Sequence, residues 1–202
     1  SASPNNYQEH NYQEHVCIIR DEINTLQDIT RQIILYLKPR EPQNPKENEP
    51  LQPYLASLVS KHPSLKVSEY QPARVNMYPE DISDSLHELL DHISHIYLNE
   101  RKGQGSELET TLKIEDAGAY WRLVIKDSVP ISPHVISCFE EPFKVHDSIN
   151  NTWLSSAIPK IYPVTGFATT KKIAQTYGGD LTVAHLDNGI EYILKMPKGF
   201  TR

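Results

Sequence analysis

The run Leu86-His87-Glu88-Leu89-Leu90-Asp91-His92-Ile93, followed by His95, gathers imidazoles and carboxylates on one short stretch. His87 with Asp91, Glu88 with His92, and Asp91 with His95 stand four residues apart, which on a helix is one turn and the geometry of paired metal ligands. The zinc protease pattern needs histidine at both ends of that spacing, and Asp91 takes the second place, so no metal is assigned here. The plainer reading of these residues is a solvated, charged helix edge. Further along, Asp127 closes an apolar strand; an ionised carboxylate only accepts hydrogen bonds, and an aspartate there also serves to end a strand and cap a turn. Gly166 stands at the expected start of a helix, where free amides and the dipole receive an anion such as phosphate. Lys171 and Lys172 are within reach of an anion, though lysines on a helix face are usually solvated.

The elements that must hold these residues can be read from periodicity. Val16, Ile19, Ile23, Leu26, Thr30, Ile33 and Leu37 recur at alternating spacings of three and four, the seam of a coiled coil or bundle, with Thr30 its polar member. Ile18, Ile29 and Ile34 widen that stripe, so a four-helix bundle with partner helices, and hence a homodimer, is expected. The tandem Asn6-Tyr7-Gln8-Glu9-His10 and Asn11-Tyr12-Gln13-Glu14-His15 before it is polar, tolerates a helix and is given no chemistry. Lys38-Pro39 should end the helix, and Pro42, Pro45 and Pro50 keep the next stretch open.

Leu51 to Lys61 reads as a short helix, and Lys66 to Tyr70 and Arg74 to Met77 as short strands. Pro79 suits a first helical turn, and Ile82, Leu86, Leu89, Leu90, Ile93, Ile96 and Tyr97 give one long amphipathic helix to about Leu98. Two alternating strands, Leu108 to Ile114 and Tyr120 to Val124, turn at Asp116-Ala117-Gly118. Pro133 to Phe143 reads as a short helix and turn, and Lys144 to Pro163 as a long, lid-like loop. A helix from about Phe167 to Tyr177 is closed by Gly178-Gly179, and strands Leu181 to Leu186 and Ile190 to Met196 turn at Asp187-Asn188-Gly189. The fold class expected is α+β: a two-layer α/β sandwich, its sheet mixed and mostly antiparallel with helices on one face, preceded by a long helix. The division expected is 1–40 tail and dimerisation-type helix, 41–50 proline-rich linker, and 51–202 one domain.

A length of 202 residues allows one good-sized domain with a helical appendage. A net charge of -6 without a dense Lys/Arg run argues against nucleic acid and against an anionic membrane surface. No apolar stretch approaches bilayer length, and the start lacks the basic-then-apolar pattern of a secretory signal. Cys17 and Cys138 make neither a disulfide framework nor a metal knuckle, which suits a reducing cytoplasm.

Taken in order, residues 80 to 198 resemble the ATP-binding domain of sensor histidine kinases and of the gyrase, Hsp90 and MutL group. The resemblance rests on Val124-Ile125-Lys126-Asp127 and Pro130, on Phe139-Glu140-Glu141-Pro142-Phe143 as a Phe-x-Pro-Phe box, and on Thr165-Gly166-Phe167-Ala168 leading to Tyr177-Gly178-Gly179-Asp180-Leu181. The first helix with Leu35-Tyr36-Leu37-Lys38-Pro39-Arg40 is similar to the second helix of the kinase dimerisation domain. The resemblance implies ATP and magnesium as cofactors, a homodimer, and a response regulator as partner. It makes Asp127 the acceptor of the adenine amino group, and puts Gly166, Phe143 and Lys171 around the nucleotide. It sets Glu88 and His92 where two asparagines face the triphosphate, with Glu88 able to orient or activate water in the wider group.

Departures from the pattern carry the functional expectation. Magnesium prefers oxygen ligands, so His92 is a poor exchange for asparagine. Val129 and Ile131 stand where glycines let backbone approach the nucleotide, and Val164 replaces the earlier glycine of the last box. The phosphoacceptor pattern, histidine followed by an acidic residue, is missing at both His10 and His15. The expectation is a degenerate kinase domain with weakened or lost ATP binding and a role in signal relay or docking. The alternatives are an active kinase with unorthodox metal ligands, and a phosphotransfer or scaffold protein that binds a response regulator.

Overall fold

The computed structural model describes residues 4–38, 48–69, 72–100, 110–128, 136, 139 and 162–199. The chain divides into two compact units, one ending at Leu37 and one beginning at Lys38. The first is a single helix, α1 (Pro4–Leu37), which takes in the polar tandem and stops just before Lys38-Pro39. Val16, Ile18, Ile19, Ile23, Leu26, Ile34 and Leu37 are exposed along it, so within its own unit the apolar stripe is not covered. The polar member of that stripe is satisfied locally: the Thr30 hydroxyl donates to the Leu26 carbonyl one turn back (2.8 Å). No helix among the described residues is long and apolar enough to cross a membrane.

The second unit contains β1 (Glu49–Pro50), α2 (Gln52–Lys61), β2 (Leu65–Glu69), β3 (Arg74–Val75) and α3 (Pro79–Glu100). It continues with β4 (Thr110–Ala117), β5 (Tyr120–Asp127), α4 (Tyr162–Thr176), β6 (Asp180–Leu186) and β7 (Gly189–Pro197). Five strands form one sheet in the order β2-β4-β5-β7-β6, with β2 parallel to β4 and the other neighbours antiparallel. The period-2 pattern sends Leu112, Ile114, Leu123, Ile125, Tyr192, Leu194 and Met196 into the core. They meet Ile82, Leu86, Leu89, Leu90 and Ile93 of α3 and Phe167, Ile173 and Ala174 of α4. The result is the expected two-layer α/β sandwich: a mixed, mostly antiparallel sheet with helices on one face. The alternate strand residues carry ion pairs instead, Arg122 with Glu115 (3.7 Å) and Lys126 with Glu191 (3.3 Å).

Three local features differ from the sequence reading. Glu49–Pro50, read as open linker, pairs antiparallel with Arg74–Val75, a ladder too short to leave any periodic signal. Strand β4 runs on to Ala117, so the turn falls at Gly118-Ala119; Gly118 takes φ 73°, and its N–H donates to the Asp116 carboxylate (3.0 Å). Helix α4 begins at Tyr162, five residues before the expected start. Pro163 falls in its first turn, where proline is tolerated because the first N–H groups have no intrahelical partner.

Candidate functional site

The expected site residues that the structure describes lie on α3, α4 and the end of β5. On α3, Glu88 and His92 are 1% and 2% exposed, so the reading of this stretch as a solvated helix edge is overturned for these two. They point into the layer between helices and sheet because Glu88 and His92 fall on the same helical face as Ser85 and Leu89, which are also buried. His87 and Asp91, one residue before each, face the other way and remain partly exposed.

Gly166 is in the second turn of α4 and not at its start, which corrects the expected anion site at a helix N-terminus. Its role in the fold is close approach. A Cβ at Gly166 would stand 2.6 Å from the Glu88 carbonyl oxygen and 3.0 Å from the His92 Cβ. The Thr170 hydroxyl completes this crossing, shared between the Gly166 carbonyl (2.9 Å) and, from α3, the Ser85 carbonyl (3.0 Å). Lys171 is half-buried on α4 and, five residues on, stands about 140° round the helix axis from Gly166, so the two do not share a face. Phe143, Val129 and Ile131 lie outside the described residues, as does the expected lid except for Tyr162 and Pro163, which are helical at the start of α4.

Asp127 is the last residue of β5 and is 4% exposed. Its Oδ2 accepts a hydrogen bond from the Thr110 hydroxyl (2.9 Å), and Thr110 is its cross-strand partner on β4. Thr110 was not anticipated as a partner, although counting outward from the hairpin turn reaches it. The Tyr192 phenol lies close enough to be affected. Burial first, and then the Asp127 carboxylate, push it well above the ordinary tyrosine range, so it stays neutral.

Tyr192 also joins Asp127 to α3, because its ring stands 6.0 Å from that of His92 at 89°. The His92 imidazole is edge-on to Phe139 (4.6 Å, 84°) and 5.9 Å from Phe167. Phe139 and Phe167 are 5.5 Å apart, and Phe139 stacks on Tyr192 at 6.5 Å. Four rings from four separate segments thus fill the space between α3, α4 and β7, in edge, tilted and, for Phe139 on Tyr192, stacked arrangements. Sequence reasoning missed this cluster. Among the described residues no three His, Cys, Asp or Glu side chains are grouped to hold a metal ion.

No protein-family model and no curated protein sequence matches this chain. Solved structures do. The catalytic domain of histidine kinase ThkA, in a nucleotide-free form, superposes with a TM-score of 0.52 at 16% identity, over 74% of this chain and 94% of that one. A mycobacterial sensor histidine kinase, MprB, gives 0.51 at 18% identity over 73% and 93%. The complex of ThkA with response regulator protein TrrA gives 0.58 at 16%, covering 98% of this chain and 53% of that one.

The chain has the histidine kinase-like ATPase fold. In the histidine kinase-like ATPase fold of this chain, the helix bearing Glu88 and His92, the strand ending at Asp127 and the helix bearing Gly166 converge around the aromatic cluster.

Proposed function

We propose that this chain is a degenerate ATP-binding domain of a two-component signalling protein, with nucleotide binding weakened or lost and the retained fold serving signal relay or protein docking. The observation that carries this reading is the setting of His92. Its ring is 2% exposed and clasped by Phe139, Phe167 and Tyr192, at the position where the resemblance calls for an oxygen ligand facing magnesium and the triphosphate. A hard cation gains little from an imidazole among aromatic rings, and seating it there would break their packing. The residues present therefore do not fit magnesium.

Asp127 favours a second reading, an active kinase with unorthodox ligands, because its carboxylate remains buried, at a strand end, as the adenine acceptor should be. One titration separates the two. Calorimetry of the chain with ATP, with and without magnesium, is expected to show no magnesium-dependent heat. Micromolar, magnesium-dependent binding that disappears in Asp127→Asn would instead establish the working kinase.

The docking partners follow from the same reading. The exposed stripe of α1 suits a second copy of this chain, since Val16, Ile19, Ile23 and Leu26 present an apolar seam. Light scattering is expected to return the mass of a dimer, and a monomer at high concentration removes this assembly. A response regulator is the heterologous partner proposed, as ThkA is found with TrrA.

A further inference from the structure

We propose that the face of the sheet turned away from the helices holds a binding site for a small carboxylate anion, seated on the side edge of the Arg122 guanidinium. The proposal goes beyond the nucleotide reading and does not depend on it. Helices α3 and α4, with Glu88, His92 and Gly166, pack on the other face.

The alternation that sends Leu112, Ile114, Leu123 and Ile125 into the core turns the residues between them to this second face. The register sets them in cross-strand rows: Thr111 with Lys126 and Glu191, Lys113 with Val124, and Glu115 with Arg122. Among the described residues these side chains enclose a cavity of about 290 Å³. Its apolar lining residue is Val124, which is only 5% exposed although its strand neighbours on this face are charged. Ser68 closes one side. It stands at an irregularity in the β2–β4 pairing, between Val67 opposite Leu112 and Glu69 opposite Lys113, and its hydroxyl donates to the Leu112 carbonyl (3.3 Å).

Charge selects the ligand. The lining sets Lys113, Arg122 and Lys126 against Glu115 and Glu191, one positive charge in excess within a chain of net charge -6. Glu115 is shared between Lys113 (3.6 Å) and Arg122 Nη1 (3.7 Å), and Lys126 stands 3.3 Å from Glu191. These contacts are long beside the about 2.7–2.9 Å of a charge-assisted hydrogen bond. Arg122 Nε is buried with no hydrogen-bond partner among the described residues. An N–H in that state calls for an acceptor. With Glu115 on the Nη1 side, the edge left to a ligand is the one formed by Nε and Nη2, which matches two coplanar carboxylate oxygens. The side chains of Lys113 and Lys126 are 46% and 56% exposed, so they have room to swing apart and admit it. One carboxylate balances the excess charge, whereas a phosphate dianion overshoots it and faces Glu115 and Glu191.

The Arg122 Nε–H nuclear magnetic resonance signal of the isotope-labelled full chain reads this site directly. Sodium acetate, titrated at ionic strength held constant with sodium chloride, is expected to move that signal along a saturating curve with a millimolar midpoint, as suits so small a ligand. Sodium chloride alone should not move it to saturation, and inorganic phosphate should bind more weakly than acetate. Arg122→Lys keeps the charge but loses the planar fork, so acetate affinity, followed by the backbone amides of Thr111 and Val124, should fall about tenfold. A linear response to acetate, or one that chloride reproduces, overturns the site in the unaltered chain without recourse to any variant. Unchanged acetate affinity in folded Arg122→Lys overturns the role of the guanidinium edge, and phosphate binding more tightly than acetate overturns the choice of a carboxylate.

Discussion

Gly189→Ala is expected to be the most damaging glycine-to-alanine change among the described residues, costing roughly 3–5 kcal/mol from backbone strain and steric overlap together. Gly189 opens β7 with φ 144°, a conformation L side chains rarely adopt. A Cβ there would overlap the Asp127 carbonyl oxygen and come within 3.0 Å of the Ser128 Cα. Both obstacles are backbone, so neither can swing aside. The substitution pushes apart the ends of β5 and β7, where Asp127 pairs with Ile190, and so moves the buried Asp127 carboxylate. Gly118→Ala is the natural control, because Gly118 also has positive φ (73°) but has nothing within 4 Å of its Cβ. Urea unfolding should separate the two by the overlap contribution. Equal losses would mean that the close approach at Gly189 carries no energy.

Gly166→Ala makes a sharper test because two effects of opposite sign compete. Alanine inside a helix is better than glycine by about 1 kcal/mol. Against this, a methyl group 2.6 Å from the Glu88 carbonyl and 3.0 Å from the His92 Cβ must lift α4 off α3. Overpacking of this kind costs roughly 1–3 kcal/mol, and here the obstructing atom is backbone, which favours the upper end. The expected outcome is net destabilisation with a changed near-ultraviolet circular dichroism, as the rings around His92 shift. A stabilised protein would show that the helices have room and that glycine is not required for their approach.

The elements with a clean period were legible in the sequence. The α3 stripe with Pro79 at its head, the alternation of β5 and β7, and the Asp187-Asn188-Gly189 turn all gave the right type of element. Ends were less legible, and Gly166 shows why. Next to Thr165 and after Pro163, a glycine looks like a turn, yet here it is selected by a neighbouring helix, and local sequence does not distinguish those two demands. The candidate site was legible only in part. The spacing of Glu88 and His92 put them on one face, but whether that face met water or core depended on α4 and β7. The aromatic cluster joins positions 92, 139, 167 and 192, and no local pattern brings together side chains so far apart along the chain.

Thr30 bears on how faithfully α1 can choose a neighbour. A polar residue inside an apolar seam usually disciplines alignment, since it must find its counterpart on the facing helix or stay unsatisfied. Here the hydroxyl is already engaged with the Leu26 carbonyl of its own backbone. It neither demands a counterpart nor punishes a slip by one heptad. Were two copies to pair along this seam, it would supply adhesion without an address, and the axial alignment would have to come from charges flanking the stripe.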